Sequence, residues 1–102
     1  MPDVPPTARS DLLGKRVSLA ADVVHRAFPA ETILLNLATG TYHGLNSTAS
    51  RMLAQLESAP ILAAAVAPLS AEFRQPVDVI ERDLCELCEA LRDRGLLDIA
   101  AA

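Results

Sequence analysis

At Asn46 the hydrophobic period of this 102-residue chain changes from two to 3.6, and that switch restricts the fold more than any other feature. Upstream, Val23, Val24, Ala27 and Phe28 lie in a β-prone run that stops at Pro29-Ala30. Thr32-Ile33-Leu34-Leu35-Asn36-Leu37 follows, apolar on both parities at its centre, as expected of a strand covered on both faces or placed mid-sheet. Ala38-Thr39-Gly40 separates it from Thr41-Tyr42-His43-Gly44-Leu45, and a three-residue connection ending in glycine is the recipe for a type I turn closed by a left-handed residue. Two consecutive hairpins make a three-stranded antiparallel meander.

Downstream, Ala49, Met52, Leu53 and Leu56 recur at helical spacing behind Asn46, a favourable N-cap. Pro60 fits the first turn of a second helix with the stripe Leu62, Val66, Leu69 and Phe73. Pro68 inside it lacks the N–H that would bond residue 64, so a kink or a shorter helix is expected there. Pro76 opens a third helix, Asp78 and Glu81 complement its dipole, and Gly95 ends it at C′. Its buried stripe reads Val77, Ile80, Leu84, Leu87, Cys88 and Leu91, with Leu96, Leu97 and Ile99 folding back onto the core. The expected architecture is α+β, a three-stranded sheet followed by three helices that cover one face. Met1 to Lys15, rich in proline and without a period, reads as a flexible arm (1–15) adding little to the core, and residues 16–102 as a single domain.

Composition narrows the functional classes. With 51% hydrophobic residues but only 3% aromatic, the core is aliphatic and there is no stacking platform for single-stranded nucleic acid. A net charge of -4 has the wrong sign for gripping a phosphate backbone. No apolar run is long enough to span a membrane, and Met1 to Asp11 lacks the apolar segment of a secretory signal, which points to the cytoplasm.

No motif announces catalysis, since no nucleophile elbow, zinc-protease, P-loop or dinucleotide fingerprint occurs. No cofactor is expected. Cys85 and Cys88 form a C-x-x-C, but two turns inside a helix rather than at its N-terminus, where the dipole would activate a thiol, and His25 and His43 do not supply a second closely spaced ligand pair. Both cysteines therefore read as small hydrophobic side chains, and a zinc or redox role is the weaker alternative. A winged-helix DNA-binding regulator is the other alternative. It would have to drive into the major groove a helix bearing Asp78, Glu81, Asp83, Glu86, Glu89 and Asp93 against Arg82 and Arg92. The most informative physical feature is the last strand of the meander, whose outer edge has no partner in this arrangement.

Beyond these patterns, Val23 to Leu97 resembles the PqqD-like family, the small modules also called RiPP recognition elements. The resemblance rests on Ile33-Leu34-Leu35-Asn36-Leu37, on Thr39-Gly40-Thr41-Tyr42-His43-Gly44-Leu45-Asn46, on Leu69 to Phe73, and on Asp83, Leu84, Leu87, Leu91 and Arg94-Gly95-Leu96-Leu97. This chain departs from the family pattern at Pro68, His43, Cys85, Leu87 and Cys88. The resemblance implies a winged-helix-like domain, not itself an enzyme, that binds the leader segment of a ribosomally made precursor peptide. The leader would lie as an added strand beside the third strand, to be presented to a modifying enzyme: a radical enzyme, a cyclase or a protease. By the same resemblance Thr41, Tyr42 and His43 provide or flank the pairing edge, and Val79, Ile80, Asp83, Leu84 and Leu87 form the helical wall. A free edge beside an amphipathic helix is also what β-strand addition requires on physical grounds.

Overall fold

A computed structural model of the chain describes residues 11–101. The elements are β1 (Lys15–Leu19), β2 (Val23–Ala27), β3 (Thr32–Asn36), β4 (Tyr42–Leu45), α1 (Ser47–Ser58), α2 (Leu62–Phe73), α3 (Val77–Asp93) and β5 (Leu97–Ala101). The three-stranded antiparallel sheet has the order β2-β3-β4. Its register places Val24, Leu35 and Tyr42 in one cross-strand row and His25, Leu34 and His43 in the next. Successive rows face opposite sides, so Leu34 and Leu45 point into the core while Val24, Leu35 and Tyr42 face outward.

The turn between β3 and β4 is built by Asn36. Its Oδ1 accepts from the N–H of Ala38 (2.9 Å) and Thr39 (3.2 Å), and its carbonyl accepts from Gly40, which takes the left-handed conformation at φ 75°. At the far end of β4 the side chain of Asn46 accepts from the Ala49 N–H at 2.8 Å and starts α1. Met52, Leu53 and Leu56 of α1, Leu62, Val66 and Leu69 of α2, and Ile80, Leu84 and Leu91 of α3 meet Leu34 and Leu45 in one aliphatic core.

Five expectations need correction. The sequence reading has no counterpart for the two-stranded sheet in which β1 pairs antiparallel with β5, Val17 opposite Ile99 and Leu19 opposite Leu97. Within the expected arm, residues 11–13 form a helical turn and Leu12, 7% exposed, joins the core; residues 1–10 lie outside the described residues. Pro60 lies ahead of α2 and not in its first turn, and its carbonyl accepts from the Val17 N–H at 2.9 Å, tying β1 to the linker between helices. Val77 is 49% exposed because it is the first helical residue, beyond the edge of the core, and Cys85 takes a place in the stripe instead. α2 also runs on through Pro68 to Phe73 without being shortened, since Leu62, Ala65, Val66 and Leu69 bury a full apolar face that outweighs one missing bond.

α3 ends in a complete Schellman motif. Gly95, at φ 72°, donates to the Arg92 carbonyl and Leu96 donates to that of Leu91, each at 2.9 Å, while Leu91 and Leu96 are both buried. This turn sends the chain back as β5, with Leu96 and Leu97 in the core.

Candidate functional site

The main-chain pattern of β4 defines the site. Asn36 donates to the Thr41 carbonyl at 2.8 Å, which sets the phase of the ladder. Antiparallel pairing alternates, so His43 and Leu45 turn their N–H and C=O toward β3, and Tyr42 and Gly44 turn theirs outward. Among the described residues β4 has β3 as its only ladder partner. Tyr42 and Gly44 thus present donors and acceptors at an open edge, and glycine at the second position adds no side chain to obstruct an approaching backbone.

α3 stands across from this edge. It packs mainly on α2 and β5, and the residues Val79, Asp83, Leu87, Ala90 and Arg94, at spacings of three and four, share one flank of it, which meets β4 through Arg94. At the C-terminal end of α3 wall and sheet are tied together: Arg94 Nη1 donates to His43 Nδ1 at 3.1 Å and Asn36 Nδ2 donates to the Gly95 carbonyl at 3.4 Å. A guanidinium has only donors, so His43 Nδ1 must be the unprotonated acceptor. Burial first, and then the Arg94 charge, hold the His43 imidazole below its usual pKa.

Toward the N-terminal end of α3 the cleft opens into a groove of about 410 Å³ lined by Thr48, Met52, Phe73, Gln75, Val79, Ile80 and Asp83. Its walls come from three helices. α1 starts where β4 ends, Phe73 is the last residue of α2, Arg74 takes the left-handed conformation (φ 54°) that turns Gln75 off that helix, and α3 begins at Val77. Asp83 pairs with Arg82 at 3.2 Å, a half-exposed contact of the kind that readily exchanges partners.

The residues singled out from the sequence fall into three positions. Thr41, Tyr42 and His43 run along the β4 edge, where Tyr42 contributes main chain while its side chain, 73% exposed, lies on the outer face, and where His43 faces α3. Val79, Ile80 and Asp83 line the groove. Leu87 is half-buried against the core, and Leu84 is fully buried, so it sits behind the wall and not on it. Sequence reasoning did not assign Thr48, Met52, Phe73, Gln75 or Arg94 to the site. Met52 and Phe73 carry the same helical spacing as the core, and nothing local distinguishes a residue at the lip of the core from one inside it.

Cys85 and Cys88 are buried and in no disulfide, and burial above all, with the charges of Cys85 and Glu89 behind it, pushes the Cys88 thiol up to about 12. A thiol so held is a packing group and not a nucleophile. Among the described residues no three His, Cys, Asp or Glu side chains gather around a point that would hold a metal, and no helix is long and apolar enough to cross a membrane.

The family model of PqqD, coenzyme PQQ synthesis protein D, matches residues 31–97, from the start of β3 through α3. The chain belongs to the PqqD family. Solved structures similar to this PqqD-family chain include TbiB1 in complex with the TbiA(β) leader peptide, 33% identical, with 79% of this chain and 94% of that one covered and a TM-score of 0.74. Lasso peptide synthetase B1 complexed with the leader peptide, 23% identical, shares the fold with a TM-score of 0.74 over 81% of this chain and 98% of its own. A comparison with curated proteins finds no match. The α+β arrangement of a three-stranded sheet followed by helices is therefore that of solved PqqD-like domains.

Proposed function

We propose that this PqqD-family domain is a recognition module that captures the leader segment of a ribosomally synthesised precursor peptide by β-strand addition and delivers it to a modifying enzyme or leader protease. The observation that carries this reading is the open edge of β4, where Tyr42 and Gly44 turn their main-chain groups outward, on a strand that leads directly into α1 and the groove α1 shares with α3. An extended guest would take its register and much of its affinity from these main-chain bonds, and its choice of side chains from the groove. The similarity to TbiB1, solved with a leader peptide bound, supports the same conclusion. The module makes and breaks no bonds in this reading, and its partners are the leader and the enzyme that acts on the precursor in the cytoplasm. No observation favours the DNA-binding alternative, because the exposed side of α3 is dominated by carboxylates.

Isothermal titration with a synthetic leader from a short gene neighbouring this one tests the proposal. The expected result is saturable binding of one peptide per chain. Absence of heat or of chemical-shift change with every such leader overturns it.

A further inference from the structure

We infer that two copies of this chain pair face to face through the outer side of the three-stranded sheet, about a two-fold axis that runs along the row Val24, Leu35 and Tyr42. The fold leaves this side apolar and uncovered. Apolar residues on both parities of β3 are expected of a strand covered on both faces, yet within one chain only the face of Leu34 reaches the core. The other face carries Val24 and Phe28, each 47% exposed, Leu37, 62% exposed, and Tyr42, with Ile33 and Leu35 half-buried among them. Contiguous apolar side chains, unlike scattered ones, mark an association surface.

The face is complementary to itself. Asp22 stays in register just ahead of β2, because its carbonyl accepts from the Leu37 N–H at 2.7 Å. Residues two apart on a strand share a face, so Asp22, Val24 and Arg26 all point outward, as do Ile33, Leu35 and Leu37. An axis along the central row lays each strand over its counterpart in the reverse direction. A residue two places to one side of the row then lies over the residue two places to the other side. Asp22 of each copy meets Arg26 of the other, and Leu37 meets Ile33. Packed sheets differ in strand direction by about 30°. At about 7 Å from the axis this displaces a residue by about 4 Å, less than one strand spacing.

The remaining features of the face fit the same axis. Among the described residues neither Asp22 nor Arg26 is in an ion pair, and Arg26 lies over the Phe28 ring, 5.7 Å from its centroid. Glu31, cross-strand from Phe28, is carried toward the uncharged turn Ala38-Thr39-Gly40 of the other copy. Leu37 stands at one end of β3, while Val24, His25, Arg26, Phe28, Ile33 and Leu35 line a hollow of about 410 Å³ at the other. The axis carries the Leu37 of one copy onto the hollow of the other. Three strands of some five residues make a face of only about 14 by 16 Å, smaller than a permanent interface, so the pair is a weak one. Pairing through the face leaves the edge of β4 open, and the inference does not depend on leader capture.

Sedimentation equilibrium of the full chain up to about 1 mM tests the pairing. The expected result is a monomer–dimer equilibrium with a dissociation constant of about 10–500 µM. Val24→Glu, exposed and on the axis, should weaken it about tenfold or more, with the fold checked by circular dichroism. Asp22→Arg and Arg26→Asp each set like charges against one another and should each weaken it similarly. Both exchanges in one chain, which leave the net charge unaltered, should restore the parent dimer. A chain that stays monomeric at about 1 mM overturns the inference and leaves the face to a different protein. Dimers indifferent to Val24→Glu overturn the choice of face, and failure of the double exchange to restore association overturns the axis.

Discussion

At Tyr42 and His43 two adjacent residues of one strand have opposite duties, and proline distinguishes them. Tyr42 turns its N–H away from β3, so the ring of Tyr42→Pro removes no bond of the folded chain, whereas His43→Pro removes a ladder donor to β3. Tyr42→Pro is expected to melt close to the parent and to bind a leader about tenfold or more weakly, with Tyr42→Val, which keeps the N–H, as control. His43→Pro is expected to lose about 1–3 kcal/mol of stability in a denaturant titration. Parent-like affinity in folded Tyr42→Pro would show that the guest does not use this edge. The existence of the edge was legible in the sequence, because alternating strands and a Gly40 turn define a meander. Which residues face outward was not, since that phase depends on the Asn36 to Thr41 bond and reverses with a shift of one residue.

The element boundaries are set by caps, and the two left-handed residues that end α2 and α3 differ in fitness. Gly95 has nothing within 4 Å of where a Cβ would sit, so Gly95→Ala meets no clash and its effect is that of backbone strain alone, a loss of about 1 kcal/mol. Arg74 carries a Cβ in the same conformation, and Arg74→Gly is expected to gain about 0.5–1 kcal/mol. Urea titrations of both variants check the two signs. Asn46, Pro76 and Gly95 were readable as caps because each acts through its own backbone or a neighbour three residues away. β1 and β5 were not, since Lys15–Leu19 shows only Val17 and Leu19 as apolar alternation and acquires its partner from the opposite end of the chain. Pairing between such distant segments leaves no local signal.

Across the whole molecule, the contact between His43 and Arg94 joins the three-stranded sheet to α3, and it depends on pH. His43 titrates below its usual 6.5 in the folded chain, so between the two values the unfolded chain binds more protons. The contribution is complete above that range and is lost as the pH falls through it, when an imidazolium would face a guanidinium. Thermal melts from about pH 8 to 5 should show a decline in the parent that is reduced in His43→Gln, whose side-chain oxygen still accepts from Arg94. Most of the core and the order of elements from β2 to α3 could be inferred from the sequence, and so could half of the candidate site. The other half, Thr48, Met52, Phe73, Gln75 and Arg94, is assembled only when three helices come together and Arg94 reaches His43.

Lys15 and Ala101 are directly opposite each other across one rung of the β1–β5 ladder. Anything grafted before the first or after the second therefore departs from a common corner, on a different sheet from the vacant rim of β4. A circular permutant closed there by a short loop leaves the open edge of β4 unencumbered.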